Sequence, residues 1–171
     1  MRTRKTKRAQ PRTTAEYRGL SDKSKNSLDR SSRVVSKIRG DKTSCTKASR
    51  EIGVSPQTVK RWAASALKKR NGRFTAKSSD QLFRVLKIPD EKGVREIGVR
   101  GSRQATVLAE YWNALNRYLD TGRSEELERF KGVVIKGADN NEILLPTDRA
   151  QLRRLGLAGV LSFESLYGHS A

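Results

Sequence analysis

The chain has 171 residues, with 37 Lys and Arg against 18 Asp and Glu, a formal net charge of +19 and a pI near 10.7. Only 35% of residues are hydrophobic, which is low for one large core, so part of the chain is expected to stay unpacked. No apolar run approaches the ~20 residues of a membrane span. The single Cys45 and single His169 exclude an internal disulfide framework and a Cys-rich zinc site, and leave little for His-based metal or triad chemistry.

The N-terminus MRTRKTKRAQ is basic with no apolar stretch behind it and does not read as a secretory signal. The expectation is a cytoplasmic, nucleoid-associated protein with an anionic partner, no membrane association, no cofactor and no metal. The charge is uneven. Residues 1–77 hold 23 Lys and Arg against 5 Asp and Glu, a balance of +18, whereas residues 78–171 hold 14 against 13. The first half is therefore read as the polyanion-binding part and the second as an ordinary folded domain.

Residues 1–20 are read as a basic disordered arm. Arg2, Arg4, Lys5, Lys7, Arg8 and Arg12 leave residues 1–15 almost nothing apolar to pack. Such an arm can follow phosphates or enter a minor groove. Residues 21–77 are read as a nucleic-acid-binding domain. Leu28, Val34, Val35 and Ile38 form one helical stripe over residues 24–39, ended by Gly40 and Asp41.

Ser44 to Arg70 is the most informative stretch. Ser44 or Thr46 can cap a short helix with Ala48, Ser49 and Ile52 inward. Gly53 suits a turn with positive φ. Ser55 is an N-cap residue, and Pro56 follows at the first helical position. Val59, Trp62, Ala63, Ala66 and Leu67 fall at i, i+3, i+4, i+7 and i+8, which predicts one helix ending in Lys68, Lys69 and Arg70. Trp62 is read as core rather than as a base-stacking residue. Residues 71–79 are read as a linker or a wing-like loop.

The run from Ala48 to Trp62 resembles the helix-turn-helix DNA-binding module of bacterial regulators, resolvases and transposases. Ala48 and Ser49 are small where the helices cross, Gly53 sits at the turn, and Val59 faces the core. Ser49 departs from the usual alanine. The resemblance covers about twenty residues. It implies that the helix from Ser55 enters the major groove. Gln57, Lys60 and Arg61 would then read base edges. Ser55, Thr58, Lys68, Lys69, Arg70 and Arg73 would lie along the backbone with the arm cations Arg2, Arg4, Lys5, Lys7 and Arg8. The rest of the chain, with its closing Leu161-Ser162-Phe163-Glu164-Ser165-Leu166-Tyr167 run, is similar to uncharacterised bacterial helix-turn-helix proteins, a likeness that carries no activity.

Residues 78–171 are read as a small α+β domain for dimerisation, partner binding or ligand binding. Leu82–Ile88 and Val94–Val99 suggest a hairpin around the turn Pro89–Gly93. A helix over about 103–119 carries Ala105, Leu108, Leu115, Tyr118 and Leu119, with Tyr111 and Trp112 on or beside the stripe. Ser124 would cap a short helix through Phe130. Val133–Ile135 and Ile143–Leu145 suggest a second hairpin, and Thr147 would cap a helix from Asp148 to about Leu155. Leu161, Phe163, Leu166 and Tyr167 would close the core. The fold class is thus α+β, a basic helical domain followed by a small mixed one.

An enzyme is not expected. Asp80, Glu96, Glu110, Asp120, Asp139 and Asp148 show no spacing that singles out a metal site. Gly93, Gly98 and Gly101 form no phosphate loop. Ser102 beside Arg100 and Arg103 is only a loose cluster. Cys45 reads as a small, half-buried residue, with oxidation near the DNA face as the functional alternative. The leading expectation is a sequence-specific protein on double-stranded DNA, a transcriptional regulator or mobile-element factor. A single helix-turn-helix reads a short half-site, so a homodimer or an added arm contact is expected. The alternatives are an RNA-binding or ribosome-associated protein whose tail follows rRNA, and a transposase- or recombinase-type enzyme fragment.

Overall fold

Small polar residues decide where the first half turns helical. The computed structural model describes residues 10–90 and 93–157. Thr13 accepts the backbone N–H of Glu16 and opens α1 (Thr14–Arg18). Ser21 does the same for Ser24 and opens α2 (Asp22–Asp41). Ser44 accepts the Lys47 N–H at 3.2 Å and opens α3 (Cys45–Ile52). Ser55 accepts the Thr58 N–H at 3.1 Å and opens α4 (Pro56–Trp62), with Pro56 in its first turn. Each cap satisfies a helix-terminal N–H that has no partner inside the helix.

The structure moves two expected helix ends. α2 runs past Gly40 and ends at Lys42, which takes φ +52. Gly40 lies inside the helix, because the chain reverses two residues later. α4 stops at Trp62 rather than at Arg70. A 3-10 turn over Ala64–Ala66 follows, and then the antiparallel strands β1 (Leu67–Arg70) and β2 (Arg73–Ala76). The apolar positions expected on the helix still face inward, since Ala63, Ala66 and Leu67 are all buried. A tight turn and a strand meet the same burial demand as a longer helix. The hairpin has a physical signature of its own. Asn71 and Gly72 take φ +48 and +74, the paired left-handed geometry of a two-residue type I′ turn.

The core of this part is formed by Val34, Val35 and Ile38 of α2 with Cys45, Ala48, Val59, Ala63, Ala66, Leu67 and Leu82. Gly53 takes φ +72 between α3 and α4. Its carbonyl accepts a 2.9 Å hydrogen bond from Arg30 of α2. Lys37 bridges Asp41 at 2.9 Å and Glu51 at 3.0 Å, tying α2 to α3. Its hydrogen bonds to both carboxylates, that to Asp41 first, raise the pKa of the ammonium.

Asp80 is the polar hub. Its carboxylate is fully buried and pairs with Arg84 at 2.6 Å and Arg39 at 2.7 Å. It also accepts the N–H of Leu82 at 3.0 Å. Burial on its own would raise the pKa of this carboxyl. The hydrogen bonds from Arg84 and Arg39, with the attraction of Arg84, outweigh burial and hold it at about 2.

The second half gives β3 (Phe83–Asp90), β4 (Gly93–Arg100), α5 (Ser102–Thr121), α6 (Glu125–Glu128), β5 (Val134–Lys136), β6 (Glu142–Leu144) and α7 (Arg149–Leu157). β3 pairs with β4 and β5 with β6, each as a separate two-stranded sheet. β3 continues through Pro89 and Asp90, so the connection is shorter than the expected Pro89–Gly93 turn. The core holds Leu86, Ile88, Ile97, Val99, Leu108, Tyr111, Trp112 and Leu115, closed by Leu127, Phe130, Ile135, Leu145 and Leu152. Tyr111 meets Phe130 edge-on at 5.6 Å. Its hydroxyl donates to the Pro146 carbonyl at 2.8 Å, and burial pushes its pKa up. Trp112 donates to the Lys87 carbonyl at 3.3 Å.

Two expected caps are reassigned. Asp148, not Thr147, accepts the Ala150 N–H at 2.8 Å at the start of α7. The hydroxyl of Ser124 makes no capping bond to the α6 backbone and lies instead 3.5 Å from the Glu128 carboxylate.

The fold is mixed α+β, with a helical region preceding most of the strands. The chain divides into two compact units, residues 1–84 with 100–102, and residues 85–99 with 103–171. Residues 78–84, which composition groups with the second half, pack in the first unit. Leu82 enters its core and Asp80 binds Arg39 of α2. The expected closing run Leu161–Tyr167 and His169 lie outside the described residues.

Candidate nucleic-acid interface

Charge follows the two units closely. The first holds 25 Lys and Arg against 6 Asp and Glu, and the second 12 against 12. All of the +19 therefore belongs to the unit that contains α3, α4 and the β1–β2 hairpin.

α4 is anchored through Val59 and Trp62, both buried. Gln57, Lys60 and Arg61 are exposed, and their i, i+3, i+4 spacing places them on one face. Ser55 and Thr58 have a local task as well. Their hydroxyls lie 2.8 Å apart, and Ser55 caps α4. Lys60 is not fully extended away from the protein. Its ammonium sits 4.3 Å from the centre of the Phe74 ring on β2, a distance for cation–π attraction. This contact couples the exposed face of α4 to the hairpin.

Lys68, Lys69, Arg70 and Arg73 are exposed, but on β1 and β2 rather than at a helix end. Leu67 pairs with Ala76 at the base, and Arg70 pairs with Arg73 beside the turn. Like charges directly opposite across a hairpin cost stability. Among the described residues no carboxylate forms an ion pair with either arginine. The signal for this hairpin, the Asn71-Gly72 pair, is present in the sequence but is masked there by the helical spacing of Ala63, Ala66 and Leu67.

A cleft of about 470 Å³ opens between the N-terminal ends of α3 and α4 and the hairpin. Ser44, Cys45, Pro56, Lys60, Arg73 and Phe74 line it. Its two cations, Lys60 and Arg73, with the capping Ser44 and with Thr46, make it polar and positive. Cys45 itself is buried and lies 3.8 Å from the Ser49 hydroxyl.

The cations Arg2, Arg4, Lys5, Lys7 and Arg8 lie outside the described residues. The part of the expected arm that is described is ordered by contacts. Tyr17 of α1 stacks on Phe83 at 5.5 Å and donates to Asp29 of α2 at 2.8 Å. Gln10 donates to the Trp62 carbonyl and accepts the Phe83 N–H. Residues 10–20 are therefore part of the folded unit, because Gln10 and Tyr17 find partners far along the chain.

Among the described residues, no group of three or more His, Cys, Asp or Glu could hold a metal ion. No described helix is long and apolar enough to cross a membrane. Comparison with protein families, with curated proteins and with solved structures finds no match for this chain.

Proposed function

We propose that this chain is a sequence-specific protein of double-stranded DNA, a transcriptional regulator or mobile-element factor. In this reading α3, the Gly53 turn and α4 act as a helix-turn-helix, and α4 lies in the major groove. Gln57 and Arg61 present an amide and a guanidinium to base edges, suited to adenine N6/N7 and guanine O6/N7 respectively. Lys60 shares its charge between the groove and the Phe74 ring. Lys68, Lys69, Arg70 and Arg73 follow the backbone from the hairpin, and the arm cations add contacts that are indifferent to sequence.

The observation that carries the proposal is the segregation of charge. The whole +19 sits on the unit with the exposed α4 face. The Arg70–Arg73 pair supports it, since a phosphate between the two guanidinium groups relieves their repulsion. The neutral second unit is then free for a second copy or another protein.

The test is selection of binding sites from random duplex DNA by the full chain near physiological salt, against a structured-RNA competitor. A recurring site that survives the competitor supports the proposal. Tight capture by the RNA with no recurring site refutes it and favours an RNA or ribosome partner.

A further inference from the structure

We infer that the outward face of the β5–β6 hairpin docks a second copy of this chain, with Val134 and Lys136 of one copy against Leu144 and Glu142 of the other. The inference does not depend on the DNA-binding reading.

The register of the hairpin puts Val134 opposite Leu144, Ile135 opposite Ile143 and Lys136 opposite Glu142. Side chains directly opposite in an antiparallel pair share a face, and successive pairs alternate between faces. Ile135 and Ile143 take the inner face and join the core of the second unit. Val134, Leu144, Lys136 and Glu142 therefore take the outer one. Leu144 is 61% exposed and Val134 37%, so two neighbouring aliphatic side chains stand in water. Leu144 also lines a groove with Ile88, Pro89, Ile143 and Pro146, which extends the apolar surface past the hairpin. Lys136 and Glu142 lie 3.5 Å apart beside it, both largely exposed.

This face carries its own complement. A two-fold axis parallel to the strands, in the plane between two facing hairpins, lays each strand over the other strand of the second copy. It sets Val134 against Leu144 and Lys136 against Glu142, each twice. A two-fold axis across the strands would instead set the apolar pair over the charged pair. Side-chain chemistry thus selects the first arrangement, which is isologous and keeps the strands aligned as in packed sheets. The second unit holds 12 Lys and Arg against 12 Asp and Glu, so two such units meet without net repulsion. A patch this small belongs to the weak class of interfaces, below ~1,200 Å² in total.

The experiment is sedimentation equilibrium of the full chain near physiological salt. A monomer–dimer equilibrium is expected, with a dissociation constant between about 10 μM and 1 mM. Lys136→Glu and Glu142→Lys should each abolish it, because one sets acid against acid across the axis and the other base against base. Mixing these two variants in equal amounts should restore a dimer, since every facing pair is then opposite in charge. Leu144→Ser should weaken the parent dimer roughly tenfold or more, as each dimer loses two leucines, and it sets no like charges together within the hairpin. The indole N–H resonance of Trp112 checks that the second unit is folded in each variant.

A parent chain that stays monomeric at about 1 mM overturns the inference. So does a dimer that persists unweakened in Leu144→Ser, which would place the contact elsewhere. A mixture that stays monomeric with both variants folded overturns it as well. None of these results bears on the DNA-binding reading.

Discussion

Asp80→Ala should unfold the first unit at markedly lower denaturant than the parent chain. The buried carboxylate neutralises Arg84, whose side chain is only 6% exposed, and binds Arg39 of α2. Removing it leaves a buried guanidinium without its counter-ion, which costs about 3–5 kcal/mol. Asp80→Asn keeps an acceptor for the Leu82 N–H but loses the charge, so a smaller cost of about 2 kcal/mol is expected.

The pH dependence gives an independent magnitude. Folding lowers this carboxyl from 3.8 to about 2. The unfolded chain therefore takes up the proton first as pH falls. The stabilisation is complete above pH 5 and is lost as pH drops through 3.8 toward 2. At about 1.4 kcal/mol per pKa unit, it amounts to about 2 kcal/mol. The assay is a urea titration followed by the indole N–H resonances of Trp62 and Trp112, one in each unit. The Trp62 midpoint should fall in Asp80→Ala, and the acid-induced loss should flatten in Asp80→Asn. A loss under about 1 kcal/mol at Trp62 in Asp80→Ala, or an unchanged acid profile in Asp80→Asn, would refute the assignment of Asp80 as the hub.

Other outcomes follow from the same contacts. Gly53→Ala should cost about 1–2 kcal/mol, read as a lower urea midpoint for Trp62, because φ +72 is strained for any residue with a Cβ; Gly53→Asn should recover part of it. Ser55→Ala should cost about 1 kcal/mol by removing the cap that binds the Thr58 N–H, and amide exchange should quicken at the start of α4. Gln57→Ala and Arg61→Ala should each relax preference at one base position, with a loss of about 1–3 kcal/mol on the selected site and little on random duplex. Arg70→Ala with Arg73→Ala should weaken all sequences alike and reduce the slope of log K against log salt by up to about 1.8.

Much of this architecture was legible because it is local. Caps at Ser44 and Ser55 bond to an N–H three residues on. The stripe Leu28, Val34, Val35 and Ile38 needs only helical spacing to face one way. Gly53 is required where the backbone takes positive φ, and the Leu108–Leu115 stripe fixes α5 in the same manner. The exposed face with Gln57, Lys60 and Arg61 follows once Val59 and Trp62 are known to point inward.

Tertiary structure decided what local spacing leaves degenerate or does not encode. Ala63, Ala66 and Leu67 satisfy a helix and equally a 3-10 turn followed by a strand. Packing against α2 and the Asn71-Gly72 turn select the second, and that choice puts Lys68 to Arg73 on a hairpin and Lys60 over Phe74. Asp80 is 41 positions from Arg39, and Gln10 is 52 from Trp62 and 73 from Phe83. Nothing in the neighbourhood of either residue announces those partners. The sequence alone determined where helices can start, which residues must be buried and which half carries the charge, because each depends on neighbours within a few residues. The hairpin, the buried carboxylate hub and the anchored arm depend on groups that meet only after the chain has folded.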